Sequence, residues 1–173
     1  ALFEEGKYLG LGFGITYDTN DECRLKFVYE GSPADEVGLV RGDKILNING
    51  RSIEEIEYYN LWDKIFGEEE VGNIVGLEIE GFNGTVRDLD LTKEWVTIDT
   101  VLHNDVFEVN GSKIGYLVFN QFLELSREEL GLVFSDFKSQ GIDELILDLR
   151  YNSGGHLSIS QYLAELISGA DNV

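Results

Sequence analysis

One cysteine in 173 residues, Cys23, excludes an internal disulfide and any multi-cysteine zinc site. In its strand-like surroundings it reads as a small buried hydrophobe and says nothing about redox compartment. Only two histidines occur, His103 and His156, too far apart for metal-ligand spacing, so neither a metal nor another cofactor is expected. Basic residues are scarce as well: 13 stand against 33 acidic ones, a formal charge of −20. Such a field repels phosphate backbones and anionic lipid surfaces, which argues against nucleic acid as a partner. No apolar run approaches the roughly 20 residues that span a bilayer, so no transmembrane segment is expected. The opening Ala-Leu-Phe-Glu-Glu has neither the basic nor the apolar region of a signal peptide. Against these absences stand 43% hydrophobic and 12% aromatic residues, a globular composition sufficient for one core or two small ones.

Patterning divides the chain. Leu11, Phe13, Ile15 and Tyr17 alternate, a polar turn follows at 18–21, and Leu25, Phe27 and Tyr29 alternate back, which predicts a hairpin. Gly31-Ser32-Pro33, with the only proline, breaks the pattern, and Ala34 to Val37 forms a short helical turn ended by Gly38. Lys44 to Ile48 is a strand closed by Asn49-Gly50. Tyr58, Leu61, Trp62 and Ile65 then fall at i, i+3, i+4, i+7, one face of a helix that Gly67 caps. Glu68 to Glu70 reads as a solvated loop, and strands follow at 74–80 and 85–91. The pattern changes between Thr92 and Trp95.

Beyond that boundary, Val106 to Val109, Asn110-Gly111 and Ile114 to Phe119 read as a second hairpin. Ser126 with Glu129 three residues on has the form of a capping box, opening a helix with Leu130, Val133, Phe134 and Phe137 on one face and Gly141 as its stop. Leu145 to Leu149 is apolar on both faces, as a buried parallel strand is, and Ile159, Tyr162, Leu163 and Leu166 stripe a last helix. Strand, helix, strand, helix is an α/β unit.

Two stretches carry chemistry. The turn Gly10-Leu11-Gly12-Phe13 offers successive backbone N–H groups, a nest that holds a carboxylate without a cationic side chain. The strand it enters, through Gly14 and Ile15, and the helix bearing Tyr58, Leu61 and Ile65 flank a groove for an extended peptide whose last side chain enters an apolar pocket. Lys7 adds long-range attraction for the carboxylate. In Asp148-Leu149-Arg150-Tyr151-Asn152-Ser153-Gly154-Gly155, a strand ends in a loop whose glycines bring backbone N–H groups to the mouth of a helix, where the dipole favours negative charge. Asp148 and Arg150 read as a pair that fixes the loop, with Asn152 beside them. Ser153 and His156 lie three apart with no third group to orient the imidazole, so they are not read as a catalytic dyad. His103, beside Asn104 and Asp105, reads as part of a polar loop. Asp88, Asp90 and Asp99 read as outward faces of strands rather than metal ligands.

Gly10-Leu11-Gly12-Phe13, Gly31-Ser32-Pro33-Ala34 and Arg41-Gly42-Asp43-Lys44-Ile45, in that order, resemble a PDZ domain. Glu144 to Gly155, ELILDLRYNSGG, with its following helix, resembles the active-site strand, loop and helix of the C-terminal processing (tail-specific) serine peptidases, in which a PDZ module leads into a DLR-x-N-x-GG strand. The resemblance implies an α+β and α/β chain: a PDZ-like, partly open β-barrel with two helices over residues 1–93, then a truncated ββαβα portion of the peptidase core over 94–173. It implies a serine-type peptidase in which Gly154 or Gly155 supplies an oxyanion-hole N–H. The family's serine, paired with lysine or in other branches with histidine, is carried after the GG helix, and no residue here matches it. This stretch alone is therefore expected to bind without cleaving.

The implied partners are free C-termini of proteins or peptides, held by the groove so that their effective concentration at the active site rises. Many signalling PDZ domains open the groove helix with a histidine; acidic and aromatic residues stand there in this chain, which argues for apolar tails. The family implies an extracytoplasmic setting, in bacterial periplasm or at the cell surface. Two other classes stay open: a non-catalytic PDZ interaction module, and a non-hydrolytic carrier of small apolar ligands on the same core. A strand apolar on both faces needs neighbours, so self-association through the incomplete core is also expected.

Overall fold

The computed structural model describes residues 3–4 and 6–169. The chain divides into two units, residues 1–98 and 99–173, each with its own hydrophobic core. In the first unit the strands are β1 (Phe3–Glu4), β2 (Lys7–Gly10), β3 (Phe13–Tyr17), β4 (Cys23–Val28), β5 (Lys44–Ile48), β6 (Arg51–Ser52), β7 (Ile74–Glu80), β8 (Val86–Thr92) and β9 (Glu94–Thr97). Three short helices lie among them, α1 (Pro33–Glu36), α2 (Ile53–Tyr58) and α3 (Trp62–Ile65). One sheet runs β3-β4-β5-β7-β8 with β6 paired to β5; the other runs β1-β2-β9. This is the partly open β arrangement that the sequence predicts, with β3 at a sheet edge. Alternation decides the core: on β7, Val75, Leu77 and Ile79 are buried while Ile74 faces out, and they pack with Leu25, Ile45, Ile48 and Leu91 from neighbouring strands. Cys23 is buried in the same core, and desolvation with the nearby Glu57 charge pushes its thiol up to about 11, so it stays protonated and inert.

Two expectations for this unit are corrected. The first unit closes later than residue 93, because β9 pairs antiparallel with β2, Tyr8 opposite Val96, and Val96 and Ile98 are buried. The single helix drawn through Tyr58, Leu61, Trp62 and Ile65 is two. Ser52 and Glu55 form a capping box that starts α2 earlier, and Asn60 at φ 51° turns the chain before α3. Asparagine tolerates this left-handed conformation, so the apolar spacing across it runs through a break rather than along one face. Tyr58 is left 82% exposed.

The second unit contains β10 (Val101–Val109), β11 (Ser112–Phe119), α4 (Ser126–Gln140), β12 (Glu144–Asp148) and α5 (Leu157–Ser168), the ββαβα order implied by the sequence. β10 and β11 form an antiparallel hairpin through Asn110-Gly111, both at positive φ, and β12 adds parallel to β11 with Leu117 opposite Leu147 and Val118 opposite Asp148. Leu117 and Phe119 meet Leu130, Val133 and Phe137 of α4 and Ile159 and Leu163 of α5, so both helices cover one face of the sheet.

Four expectations differ here. β10 starts at Val101, which puts His103 in a strand, its ring 5.9 Å from that of Tyr116, rather than in a loop. Asp99 lies in the connection ahead of β10, not on a strand. Ser126 is the first residue of α4 and no capping box forms: its Oγ donates to the Gln121 carbonyl, and the Glu129 carboxylate accepts from Thr100 N–H, Thr100 Oγ1 and Val101 N–H at 2.8–2.9 Å. β12 is covered on one face only; Leu145 and Leu147 pack inward while Ile146 is 47% exposed.

Candidate functional sites

In the first unit the Gly10–Phe13 turn is held from behind. Ala34 N–H donates to the Leu11 carbonyl at 2.9 Å and Tyr29 N–H to the Gly12 carbonyl at 2.7 Å. A trans peptide points N–H opposite to C=O, so with these carbonyls turned inward the N–H groups of Gly12 and Phe13 face outward together. Gly12 sits at φ 92°, and a Cβ there would lie 2.0 Å from the Ser32 side chain. That is why the glycine turn and the Gly31–Ala34 segment occur together: Ser32 caps α1, accepting from Asp35 N–H at 3.3 Å, and fills the space a side chain at residue 12 would need. The Tyr29-to-Gly12 bond makes Phe13 and Val28 a non-hydrogen-bonded pair, and the polar backbone of Phe13 faces the open edge of β3. An added strand would bond there.

Beside this edge lies a cavity of about 340 Å³ lined by Tyr8, Leu9, Gly10, Leu11 and Phe13 together with Trp62, Phe66 and Lys93 among others. Its aromatic wall is pinned: Trp62 Nε1 donates to the Glu57 carboxylate at 2.8 Å, as does the Tyr17 hydroxyl, and these two donors hold the Glu57 carboxyl below its ordinary range.

The sequence-predicted residues divide. Gly10, Leu11 and Phe13 line this cavity, and Gly12 donates its N–H to the Tyr8 hydroxyl at its edge. Gly14 and Ile15 continue along β3, with a bulge between them. Ile65 is buried in the core, Leu61 packs against that core, Tyr58 is exposed, and Lys7 is exposed on β2 without lining the cavity. Sequence reasoning missed Trp62 and Phe66 as the wall, and Lys93 as the cation. Lys93 is 3% exposed, donates to the Glu68 carbonyl at 2.7 Å, and has no ion-pair partner among the described residues. A buried ammonium so placed favours an incoming anion. Its signal in the sequence was slight, a lone lysine after the alternating strand 86–92.

In the second unit, Asp148 ends β12 and accepts from Arg150 N–H and Nε at 3.0 Å and from the Tyr116 hydroxyl at 2.8 Å. The Arg150 guanidinium above all, with these donors, holds its carboxyl well below the usual range. Asn152 clamps the loop, Nδ2 donating to the Phe119 carbonyl at 3.1 Å and Oδ1 accepting from Gly154 N–H at 2.8 Å. Phe122 N–H donates to the Gly154 carbonyl and His156 N–H to the Phe122 carbonyl, a parallel bridge that straddles Gly155. The two glycines therefore differ: the N–H of Gly154 is taken, while that of Gly155, opposite the bonded Gly154 carbonyl, points away from the bridge. α5 opens two residues later without an acidic residue in its first turn. Ser153 and His156 are both exposed, and among the described residues no hydrogen bond joins their side chains.

Comparison with known proteins gives this arrangement its kinship. Residues 26–60 match the PDZ domain family, and residues 113–172 match peptidase family S41. A carboxyl-terminal-processing protease of Picosynechococcus sp. is 30% identical over 159 residues, 90% of this chain and 38% of its own length. A chloroplastic C-terminal processing peptidase of Tetradesmus obliquus is 27% identical over 87% of this chain and 35% of its own. Among solved structures, a photosystem II D1 C-terminal processing protease superposes with a TM-score of 0.63 at 24% identity, covering 91% of this chain and 44% of that one. The chain spans less than half the length of these relatives. The chain thus carries a PDZ-domain match followed by a peptidase family S41 match, and over most of its length it is similar to part of the carboxyl-terminal-processing proteases.

Proposed function

We propose that this chain is the substrate-receiving part of a C-terminal processing serine endopeptidase: its groove binds the free C-terminal tail of a protein and presents it to a Ser/Lys-type active site whose nucleophile and base lie outside these 173 residues. The observation that carries the reading is the outward N–H of Phe13 in the glycine turn, beside an open strand edge, an aromatic-walled cavity and the buried ammonium of Lys93. The tail adds as a strand along β3, its carboxylate meets the turn and Lys93, and its last side chain lies against Phe13, Trp62 and Phe66.

The loop after β12 supplies the other half. Gly155 N–H, at the mouth of α5, donates to the oxyanion of the tetrahedral intermediate, a contribution of about 3 kcal/mol for one such donor. Asp148, Arg150 and Asn152 position that N–H without touching substrate. A serine hydroxyl needs a partnered base to act near neutral pH, so these residues alone bind tails without hydrolysing them. Following the family, the setting is extracytoplasmic, and the described residues contain no helix long and apolar enough to cross a membrane.

The test is a titration of a peptide ending in valine against the same peptide as its C-terminal amide. The free acid is expected to bind tighter; equal affinity overturns the carboxylate site. Incubation of the chain with an apolar-tailed protein is expected to yield no product, and turnover lost in Ser153→Ala would show that the loop serine is a nucleophile after all.

A further inference from the structure

The hydroxyl of Tyr8 accepts the Gly12 N–H at 3.0 Å, so one of the two outward donors of the turn is already occupied from within the chain. The ring that carries this hydroxyl is fixed. Tyr8 lies on β2 between β1 and β9, edge-on to Tyr29 with ring centroids 6.1 Å apart. A Cβ on Gly10 would fall 2.3 Å from a Tyr8 ring carbon. The first glycine of the turn is therefore needed to admit the tyrosine ring, and the second, Gly12, presents its N–H to the tyrosine oxygen. Asp63 also lines the cavity, and Lys93 is the one cation among its lining residues.

We infer that Tyr8 is a specificity-determining residue that masks the Gly12 donor, so that the groove selects its tails mainly by the last side chain and only secondarily by the carboxylate. This rests on the groove reading proposed above and refines it. With Gly12 occupied, an incoming carboxylate keeps the Phe13 N–H and the Lys93 ammonium, while the aromatic wall of Trp62 and Phe66 is unaffected. Substrates are then proteins ending in a bulky apolar residue. Burial pushes the Tyr8 phenol up to about 12, against the opposing pull of the Gly12 N–H, so the mask stays neutral throughout the physiological range and is not switched by pH.

Tyr8→Phe keeps the ring over Gly10 and removes only the masking oxygen. Calorimetric titration of the intact chain and of this variant, each with a valine-terminated peptide as free acid and as amide, decides the matter. The variant is expected to bind the acid roughly tenfold tighter than the unaltered chain, with amide affinity unchanged, because an uncovered N–H gains a charged acceptor. In the nitrogen-15 spectrum, the Gly12 amide of the free variant is expected to exchange faster than in the unaltered chain and to regain protection with the acid peptide but not with the amide. Acid preference that is present and equal in both proteins overturns the mask alone. Weaker acid binding by the variant also overturns it, since the hydroxyl would then be a donor to the ligand. If neither protein distinguishes acid from amide, the carboxylate site fails and the mask fails with it.

Discussion

Gly154 and Gly155 sit side by side at positive φ, 90° and 140°, yet a methyl group on each meets different surroundings. At Gly154 nothing lies within 4 Å of the added atom, so alanine there costs only the backbone strain of a left-handed residue, about 1–2 kcal/mol. At Gly155 the added atom would fall 2.1 Å from the Phe122 carbonyl oxygen, which is the acceptor that ties the loop to the chain before α4. Gly155→Ala is expected to cost more than Gly154→Ala in urea unfolding, and to abolish protection of the His156 amide while Gly154→Ala leaves it. Equal costs would mean that the bridge is not what holds the loop. Asp148 lends itself to a pH test. Its carboxyl is held below the ordinary range by Arg150, so the unfolded chain binds the proton more readily than the folded one and stability rises with pH across that window. The contribution is complete above the usual aspartate value, about 4, and is lost as pH falls from there toward the depressed one. Asp148→Asn is expected to be less stable than the parent at pH 7, with the difference narrowing as pH falls below 4; a constant difference from pH 7 to pH 2 would show that Asp148 is not held this way.

Among the elements, what the sequence revealed followed from burial on one face. β3, β4, β7 and β8 each present alternate residues to a single core, and that alternation is legible without a structure. The helix α5 was equally plain, because Ile159 and Leu163 bury one stripe. Misreadings occurred where a side chain was used by a distant segment. Ser126 and Glu129 have capping-box spacing, but the carboxylate is drawn to Thr100 and Val101, and nothing local in the sequence signals a partner 28 residues upstream. Lys93 was passed over for the same reason: its value to the groove depends on Glu68 and Trp62, brought near by the sheet. The real cap at Ser52 and Glu55 was legible and was eclipsed by the stronger apolar spacing beyond it. Glu129 is open to test. It satisfies two backbone N–H groups and the hydroxyl of Thr100, a residue with no exposed surface, so Glu129→Ala leaves buried donors unpaired and is expected to cost about 1–3 kcal/mol. Amide exchange at Val101 is expected to quicken in step, and Glu129→Gln, which keeps an acceptor oxygen, to fall between the two. Unchanged exchange at Val101 in the alanine variant would remove Glu129 from the start of β10.

At the scale of the whole molecule, the division at Ile98 and the open sheet face of the second unit make opposite demands. The first unit closes its own core once β9 is included: Val96 and Ile98 are buried, and Leu9 on β2 is 3% exposed. A fragment of residues 1–98 is therefore expected to be monomeric and to unfold cooperatively. One ending at residue 93 strips β2 of its partner strand, and is expected to melt several degrees lower. The second unit covers only one face of its sheet. Ile146 on β12 and Leu149 just after it are 47% and 40% exposed, and a parallel strand edge with no neighbour among the described residues invites pairing. Residues 99–173 alone are accordingly expected to self-associate. The chain's net charge of −20 opposes the crowding of copies, so association of the intact chain should strengthen as salt screens that repulsion, within a Debye length of about 10 Å at 0.1 M. Sedimentation of both fragments and of the intact chain, at low and high ionic strength, with hydrogen exchange on each fragment, separates the cases. A second unit that stays monomeric at all salt concentrations, and protects its β12 amides as fully as the first unit protects β7, would show that its uncovered face is complete as it stands and needs no further strand or partner to cover it.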